Sequence, residues 1–278
     1  TTRVREDAPA RPTPSGGARR FEEDTVADKP TVALGIDIGG SGVKGAPVDL
    51  VKGELIEERY KIATPQPSTP EAVADVVGRI AESFFDTLPA DAPIGVTIPG
   101  IVKRGIVKTA ANIDKQWMNC NGEQLFSERL GRHVHLVNDA DAAGVAELRY
   151  GAAKGQDGLV ILATLGTGIG IALMYDGVLI PNAELGHIEL NGHDAETRAA
   201  ASAKEREGLS YEKWATERLQ PYFSHLEFIL APDLFVVGGG VSRKAHKFLP
   251  LLKLETPIIP AKLLNGAGII GAAALAAD

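Results

Sequence analysis

Two glycine turns constrain this chain more than any other feature: Asp37-Ile-Gly-Gly-Ser-Gly-Val-Lys-Gly45 and Leu165-Gly-Thr-Gly-Ile-Gly170. Each interrupts an apolar run with the habit of a β-strand. Thr31–Ile36 leads into the first turn, Val43–Leu50 returns from it, and Lys52-Gly53 turns the chain again into Glu54–Ile62. Leu159–Thr164 leads into the second, Ile169–Tyr175 returns, and Asp176-Gly177 turns into Val178–Ile180. Glycine lets backbone N–H groups approach an anion closely and adopt φ > 0. One such hairpin is weak. Two with the same flanking layout predict a duplicated fold that clamps a phosphate chain between its halves. That is the logic of a sugar or acetate kinase.

The chain has 278 residues, 44% of them hydrophobic and 23% charged, enough for one large or two modest cored domains. No apolar run approaches the roughly 18 residues of a membrane span, and no signal-like segment sits near residue 1. A single cysteine, Cys120, excludes an internal disulfide and a multi-cysteine zinc site, and points to a reducing cytoplasm. A net charge of −7 disfavours a general nucleic-acid surface. A polyanion would need a local basic patch.

Residues 1–30 mix Arg, Pro, Ser, Gly and Glu without an apolar period and read as a disordered tail. A helix is expected over Pro70–Phe85, with apolar Val73, Val76, Val77, Ile80 and Phe84. Strands are expected at Ile94–Ile98, His133–Val137 and Leu234–Val237. Further helices are expected at Glu123–Leu130, Asp141–Tyr150, around Tyr211–Leu230, after Gly238-Gly-Gly240, and at Asn265–Ala277. The sum is two α/β lobes, 31–140 and 141–278, with a cleft between them. The small-residue helix 265–277 could cross back to the first lobe.

Asn138-Asp139 sits at the carboxyl end of a predicted buried strand, where α/β sheets place reactive groups. A hydroxyl that attacks phosphorus needs a carboxylate to take its proton. Asp139 suits that role, and Asp also caps helices. Flanked by the two hairpins, Asp139 is read as the base and Asp141 as the cap. Glu184-Leu-Gly-His187 brings together a carboxylate and an imidazole able to fix vicinal hydroxyls. A zinc site at His187 is the competing reading, but the other ligands are missing, and none is expected. Val236-Val-Gly-Gly-Gly-Val-Ser242 can hold a phosphate or let a nucleotide lie flat on the backbone. Neither this segment nor Leu165–Gly170 completes G-x-G-x-x-G, and G-x-x-x-x-G-K-[ST] occurs nowhere in the sequence, which disfavours a Rossmann dehydrogenase and a P-loop kinase. Lys103, Arg104, Lys108 and Lys115 form one basic cluster, and Arg243, Lys244 and Lys247 another.

These pieces, with Gly95-Val-Thr-Ile-Pro-Gly100, resemble the ROK family of sugar kinases on the actin/hexokinase-like fold, a duplicated ribonuclease H-like architecture. The resemblance runs from Gly35 to the C-terminus. It implies Asp139 as catalytic base, and Gly100, Asn112, Asn138, Asp139, Glu184 and His187 around the sugar. It implies phosphates on Gly39, Gly40, Ser41, Gly42, Lys44, Gly166, Thr167 and Gly168, and a nucleoside against Gly238, Gly239 and Gly240. Most members carry a cysteine-rich zinc motif after the Glu-x-Gly-His box, ending in a sugar-binding Glu. This chain lacks those cysteines, which leaves Glu212, in Ser210-Tyr-Glu-Lys-Trp214, or Glu189 as that ligand.

The lost zinc motif, Thr109-Ala-Ala-Asn-Ile-Asp-Lys-Gln-Trp117, Gly192-His-Asp-Ala-Glu196 and Lys253-Leu-Glu-Thr-Pro-Ile resemble a narrower group. These are the actinobacterial polyphosphate/ATP glucokinases, among them a glucomannokinase. That implies glucose with mannose as a second acceptor, ATP and polyphosphate as donors, Mg²⁺, and a cytoplasmic homodimer. An ATP-only glucokinase, an N-acylmannosamine kinase and a sugar-sensing repressor are the rivals. A repressor needs a DNA-binding module that residues 1–30 are not expected to supply.

Overall fold

The computed structural model describes residues 29–110 and 113–278. The expected tail and Asn112 therefore lie outside the described residues, apart from Lys29 and Pro30. Strands β1 (Val32–Gly39) and β2 (Gly42–Asp49) pair antiparallel along their whole length, from Val32 opposite Asp49 to Gly39 opposite Gly42. The short strands β3 (Glu54–Leu55) and β4 (Tyr60–Ile62) both pair with β2.

Helix α1 (Pro70–Glu82) begins where Thr69 Oγ1 accepts the Ala72 N–H, with proline at its first position, where no donor is lost. It buries Val73, Val76, Val77 and Ile80. Strand β5 (Ile94–Ile98) is buried throughout and runs parallel to β1. A small hairpin, β6 (Val102–Lys103) and β7 (Ile106–Val107), precedes α2 (Gly122–Leu130). Strand β8 (Val134–Asn138) closes the first sheet parallel to β5, and α3 (Asp139–Tyr150) leaves directly from its end.

The second sheet repeats the plan. Strands β9 (Leu159–Leu165) and β10 (Ile169–Tyr175) form the hairpin, and β11 (Val178–Ile180) extends it. After the pair β12 (Glu189–Leu190) and β13 (His193–Asp194) come the short helices α4 (Glu196–Ala199), α5 (Ala201–Arg206) and α6 (Tyr211–Trp214). Helix α7 (Gln220–Leu230) leads to β14 (Leu234–Gly238), parallel to β9, and β15 (Ile258–Pro260) runs parallel to β14. The segment after the triple glycine, Gly240–Lys247, is 3-10 helix with a break at Lys244. Helix α8 (Ala267–Ala276) ends the chain.

The two sheet orders, β3-β2-β1-β5-β8 and β11-β10-β9-β14-β15, are therefore one topology used twice. In each, the hairpin leads and parallel strands follow, so the carboxyl ends of β1, β5 and β8, and of β9 and β14, gather on one side. Each sheet has its own core, one around Leu34, Ile80 and Trp117 and one around Trp214, Tyr222 and Phe235.

Helices α3 and α8 lie between the sheets. Ala146 joins Ala33, Val48 and Ile269 on the first sheet's side, while Ala143 packs with Val160, Leu162 and Met174 on the second's. Helix α8 sits directly on β1 and β5 because its surface and theirs are nearly flat. A Cβ at Gly35 or Gly95 would run into the backbone carbonyl of Ile269 or Ala272. Among the described residues, no helix is long and apolar enough to cross a membrane.

Candidate active site

Strand β8 ends at Asn138, whose extended backbone (φ −67°, ψ 144°) makes it the N-cap of α3. Its Oδ1 accepts the Asp141 N–H at 3.0 Å and its Nδ2 donates to the Gly100 carbonyl at 3.1 Å. The cap expected at Asp141 is thus corrected. The helix starts at Asp139, and Asp141 lies inside its first turn.

Asp141 is 3% exposed, with one side-chain oxygen accepting the Asn182 N–H at 2.8 Å and the other unpartnered among the described residues. Burial pushes this carboxyl up to about 6, the Asn182 N–H opposing and Glu184 adding to the rise. Asp139 points the other way, into the cleft. Burial, then the charge of Asp37, pushes it up to about 7 against the Ala140 N–H at 2.9 Å, with Glu184 adding to the rise. A carboxyl poised there exchanges a proton readily at neutral pH.

The first glycine turn joins β1 to β2. Gly39 and Gly40 border the cleft, and Ser41 and Gly42 complete the turn outside its lining. Lys44 donates to Asp37 at 3.1 Å, and Thr97 holds the other Asp37 oxygen at 2.9 Å. Lys61, register partner of Lys44 on β4, packs its stem over Gly42. Sequence reasoning passed over Lys61, because only the β2–β4 pairing brings it to the turn.

The second turn is tied down from behind. The Ser202 N–H and hydroxyl donate to the carbonyls of Gly166 (3.0 Å) and Thr167 (2.6 Å), and Glu196 accepts the Ile169 N–H at 2.9 Å. Gly166, Thr167 and Gly168 border the cleft. At the end of β14, Gly239 has φ 82°, and a Cβ there would run into the Leu165 backbone, so no side chain fits.

At the far end, Glu184 is half-buried, its carboxyl raised by burial and lowered by His187. The His187 Nε2 faces Glu184 at 3.9 Å, while its Nδ1 lies 2.9 Å from Asp194. The Asp194 hydrogen bond, then the charge of Glu196, raises the imidazole above the ordinary histidine value, against some burial. The ligand atoms of His187, Asp194 and Glu196 lie within 4.8 Å of one another. The segment Gly192–Glu196 stood out in the sequence, but nothing in the spacing said that Asp194 and Glu196 would flank His187.

Neither candidate for the remaining sugar carboxylate borders the cleft; Glu196 does. Helix α6 turns Trp214 inward, and Tyr211 stacks on Phe248, which leaves Glu212 facing solvent. Glu189 is exposed on β12. The basic clusters also stay outside the lining. Lys108 donates to Asn119, and Lys247 lies over the Tyr211 ring beside Lys204.

The assembled cleft encloses about 720 Å³, bordered by Gly100, Asn138 and Asp139 from the first sheet's ends and by Gly166–Gly168, Glu184 and His187 from the second. A side pocket of about 190 Å³ opens from it, lined by Asp37, Lys44, Asp139 and Gly238–Gly240. Asp139 borders both. One end offers hydroxyl-binding groups, the other backbone amides and cations, with a carboxyl of near-neutral pKa between.

Comparison with known proteins places this geometry. A sequence model described as the ROK family matches residues 33–209. Polyphosphate glucokinase of Mycobacterium tuberculosis is 51% identical over 241 residues, 86% of this chain and 89% of that protein. The crystal structure of inorganic polyphosphate/ATP-glucomannokinase from Arthrobacter sp. strain KM superposes with a TM-score of 0.85 at 53% identity, covering 89% of this chain and 99% of that one. A ROK glucokinase from Streptomyces griseus, solved with glucose and AMPPNP, gives 0.75 at 25% identity over 88% and 98%. With the duplicated hairpin lobes and the shared cleft, these matches establish that this chain belongs to the ROK family.

Proposed function

We propose that this protein is a glucokinase that transfers the terminal phosphoryl group of inorganic polyphosphate or ATP to the 6-hydroxyl of glucose, with mannose as a second acceptor. The observation that carries the reading is Asp139, a half-buried carboxyl lifted to about 7, where the sugar end meets the glycine turns. Glu184 and His187 would hold the sugar hydroxyls, and the two turns would hold the donor phosphates. Asp139 takes the 6-hydroxyl proton as the oxygen–phosphorus bond forms. The bond to the leaving phosphate breaks, releasing ADP or a shortened polyphosphate. Closing the lobes keeps water, a competing acceptor, out.

Asp37 and Asp139 both line the side pocket, where the charge of Asp37 helps to raise Asp139, and they present only carboxylate oxygens, the donor type that suits Mg²⁺. They would hold the ion, which supplies neutralisation of the donor's charge. Gly238–Gly240 would face the nucleoside of ATP, and the same reading carries a cytoplasmic homodimer. The names of relatives more than half identical, the Mycobacterium tuberculosis and Arthrobacter proteins among them, favour the polyphosphate reading over a strictly ATP-dependent one. Offering glucose or mannose with ATP or polyphosphate, and measuring the 6-phosphate from all four pairs, tests it. No product from polyphosphate would leave an ATP glucokinase.

A further inference from the structure

His187 closes a 3-10 turn, and its side chain is 48% exposed. An imidazole so open needs a fixed partner if one nitrogen is to face a ligand reproducibly. The partner is behind it, outside the cleft lining. Asp194, on β13, places Oδ2 at 2.9 Å from the ring Nδ1. That carboxylate is itself anchored, since its other oxygen accepts the Glu196 N–H at 3.2 Å and the Asp194 carbonyl accepts the Thr197 hydroxyl at 2.6 Å. The charged groups that face the ring are Glu184 on the Nε2 side and Asp194 and Glu196 on the Nδ1 side.

We propose that Asp194 is the positioning residue of the sugar site: it takes the Nδ1–H of His187 and thereby commits Nε2 to the sugar hydroxyl beside Glu184. The proposal rests on reading His187 as a sugar ligand. Which ring nitrogen carries the proton is set by the hydrogen bond made at the other, and among the described residues the anchored oxygen within bonding distance is at Nδ1. The raised proton affinity of the imidazole has the same first cause, the Asp194 hydrogen bond. Two residues on, Glu196 accepts the Ile169 N–H at the base of the second glycine turn. One tight turn therefore sets His187 on the acceptor side and the hairpin on the donor side.

The test uses the full chain and the variants Asp194→Ala, Asp194→Asn and His187→Ala. Asp194→Ala should raise the KM for glucose about tenfold, the effect of losing one charge-assisted hydrogen bond, with kcat and the donor KM within about threefold. Asp194→Asn, which still accepts the Nδ1–H, should recover part of the loss. Nitrogen NMR of the His187 ring should show a proton on Nδ1 in the parent, lost or exchanging in Asp194→Ala. An unchanged glucose KM in Asp194→Ala, or equal rises in both KM values with a fall in Tm, would overturn the proposal. So would zinc raising the parent's Tm but not that of Asp194→Ala, since the cluster would then be a metal site. If His187→Ala leaves the glucose KM unchanged, the reading of the sugar site fails. If His187→Ala raises it and Asp194→Ala does not, only this inference fails.

Discussion

At the scale of single residues, Asp139 and Asp141 show how two carboxyls two residues apart on one helix acquire different tasks. Both are raised by burial, but Asp139 faces the cleft and Asp37, whereas Asp141 is sealed beneath Asn182. Replacing Asp139 with Asn should lower kcat by on the order of 10²–10⁴ while calorimetric glucose affinity changes little. Turnover within threefold of the parent would remove Asp139 as base. Because the base works only when ionised, activity should rise with pH through about 7 and then level off, the reverse of an acid-catalysed step.

Asp141 predicts a stability effect of opposite practical sense. Its folded carboxyl holds a proton more tightly than the unfolded one, so its contribution is full below 3.8 and is lost as pH rises to about 6. Asp141→Asn mimics the protonated form. Its Tm should gain on the parent's between those two pH values and hold a constant lead above, checked by thermal melts across the range.

At the scale of elements, the molecule depends on close backbone contact between α8 and the strands beneath it. Gly35 and Gly95 meet Ile269 and Ala272 through their carbonyls, with no flexible side chain to move aside. Gly95→Ala should therefore cost about 1–3 kcal/mol, as overpacking a tight core does. Urea unfolding measures it, and an unchanged midpoint would show that α8 can slide.

The glycine turns depend on a different element. Ser202, at the start of α5, ties down the Gly166 and Thr167 carbonyls from behind the turn. Ser202→Ala removes the hydroxyl bond alone, so the donor KM should rise a few-fold with the glucose KM unmoved, read from initial rates.

At the scale of the whole molecule, a chain of −7 must hold a polyanion. Lys44 is engaged with Asp37, and Lys61 adds a cation at the first turn. A longer donor needs more, and the exposed Lys244 and Lys247 lie on the 3-10 segment that begins at Gly240, outside the side pocket's lining. Exposed contacts of this kind fade with salt, whose screening length is about 10 Å at 0.1 M. Polyphosphate-driven activity should fall more steeply with ionic strength than ATP-driven activity. Replacing Lys244 and Lys247 together with Ala should weaken long polyphosphate more than ATP, and identical salt slopes for both donors would show that no such track exists.

What the sequence determined by itself was local and periodic. The hairpins, the β8 strand that ends at Asn138, the α1 face and the small residues of α8 follow from alternation, capping and side-chain size, and each was legible in a short window. The repeat of the hairpin was enough to read a duplicated two-lobed fold, because both copies carry the same pattern. The tertiary structure decided what depends on residues far apart. Asn138 rather than Asp141 caps α3, since the cap is set by which residue stays extended as β8 ends. Lys61 reaches the first turn only through strand pairing, and Glu212 turns outward because Trp214 fills the core. Asp194 and Glu196 meet His187 and Ile169 only when β12 folds back on β13. Spacing names the groups a chain can bring, but proton affinity and reach depend on burial and on neighbours that only folding supplies.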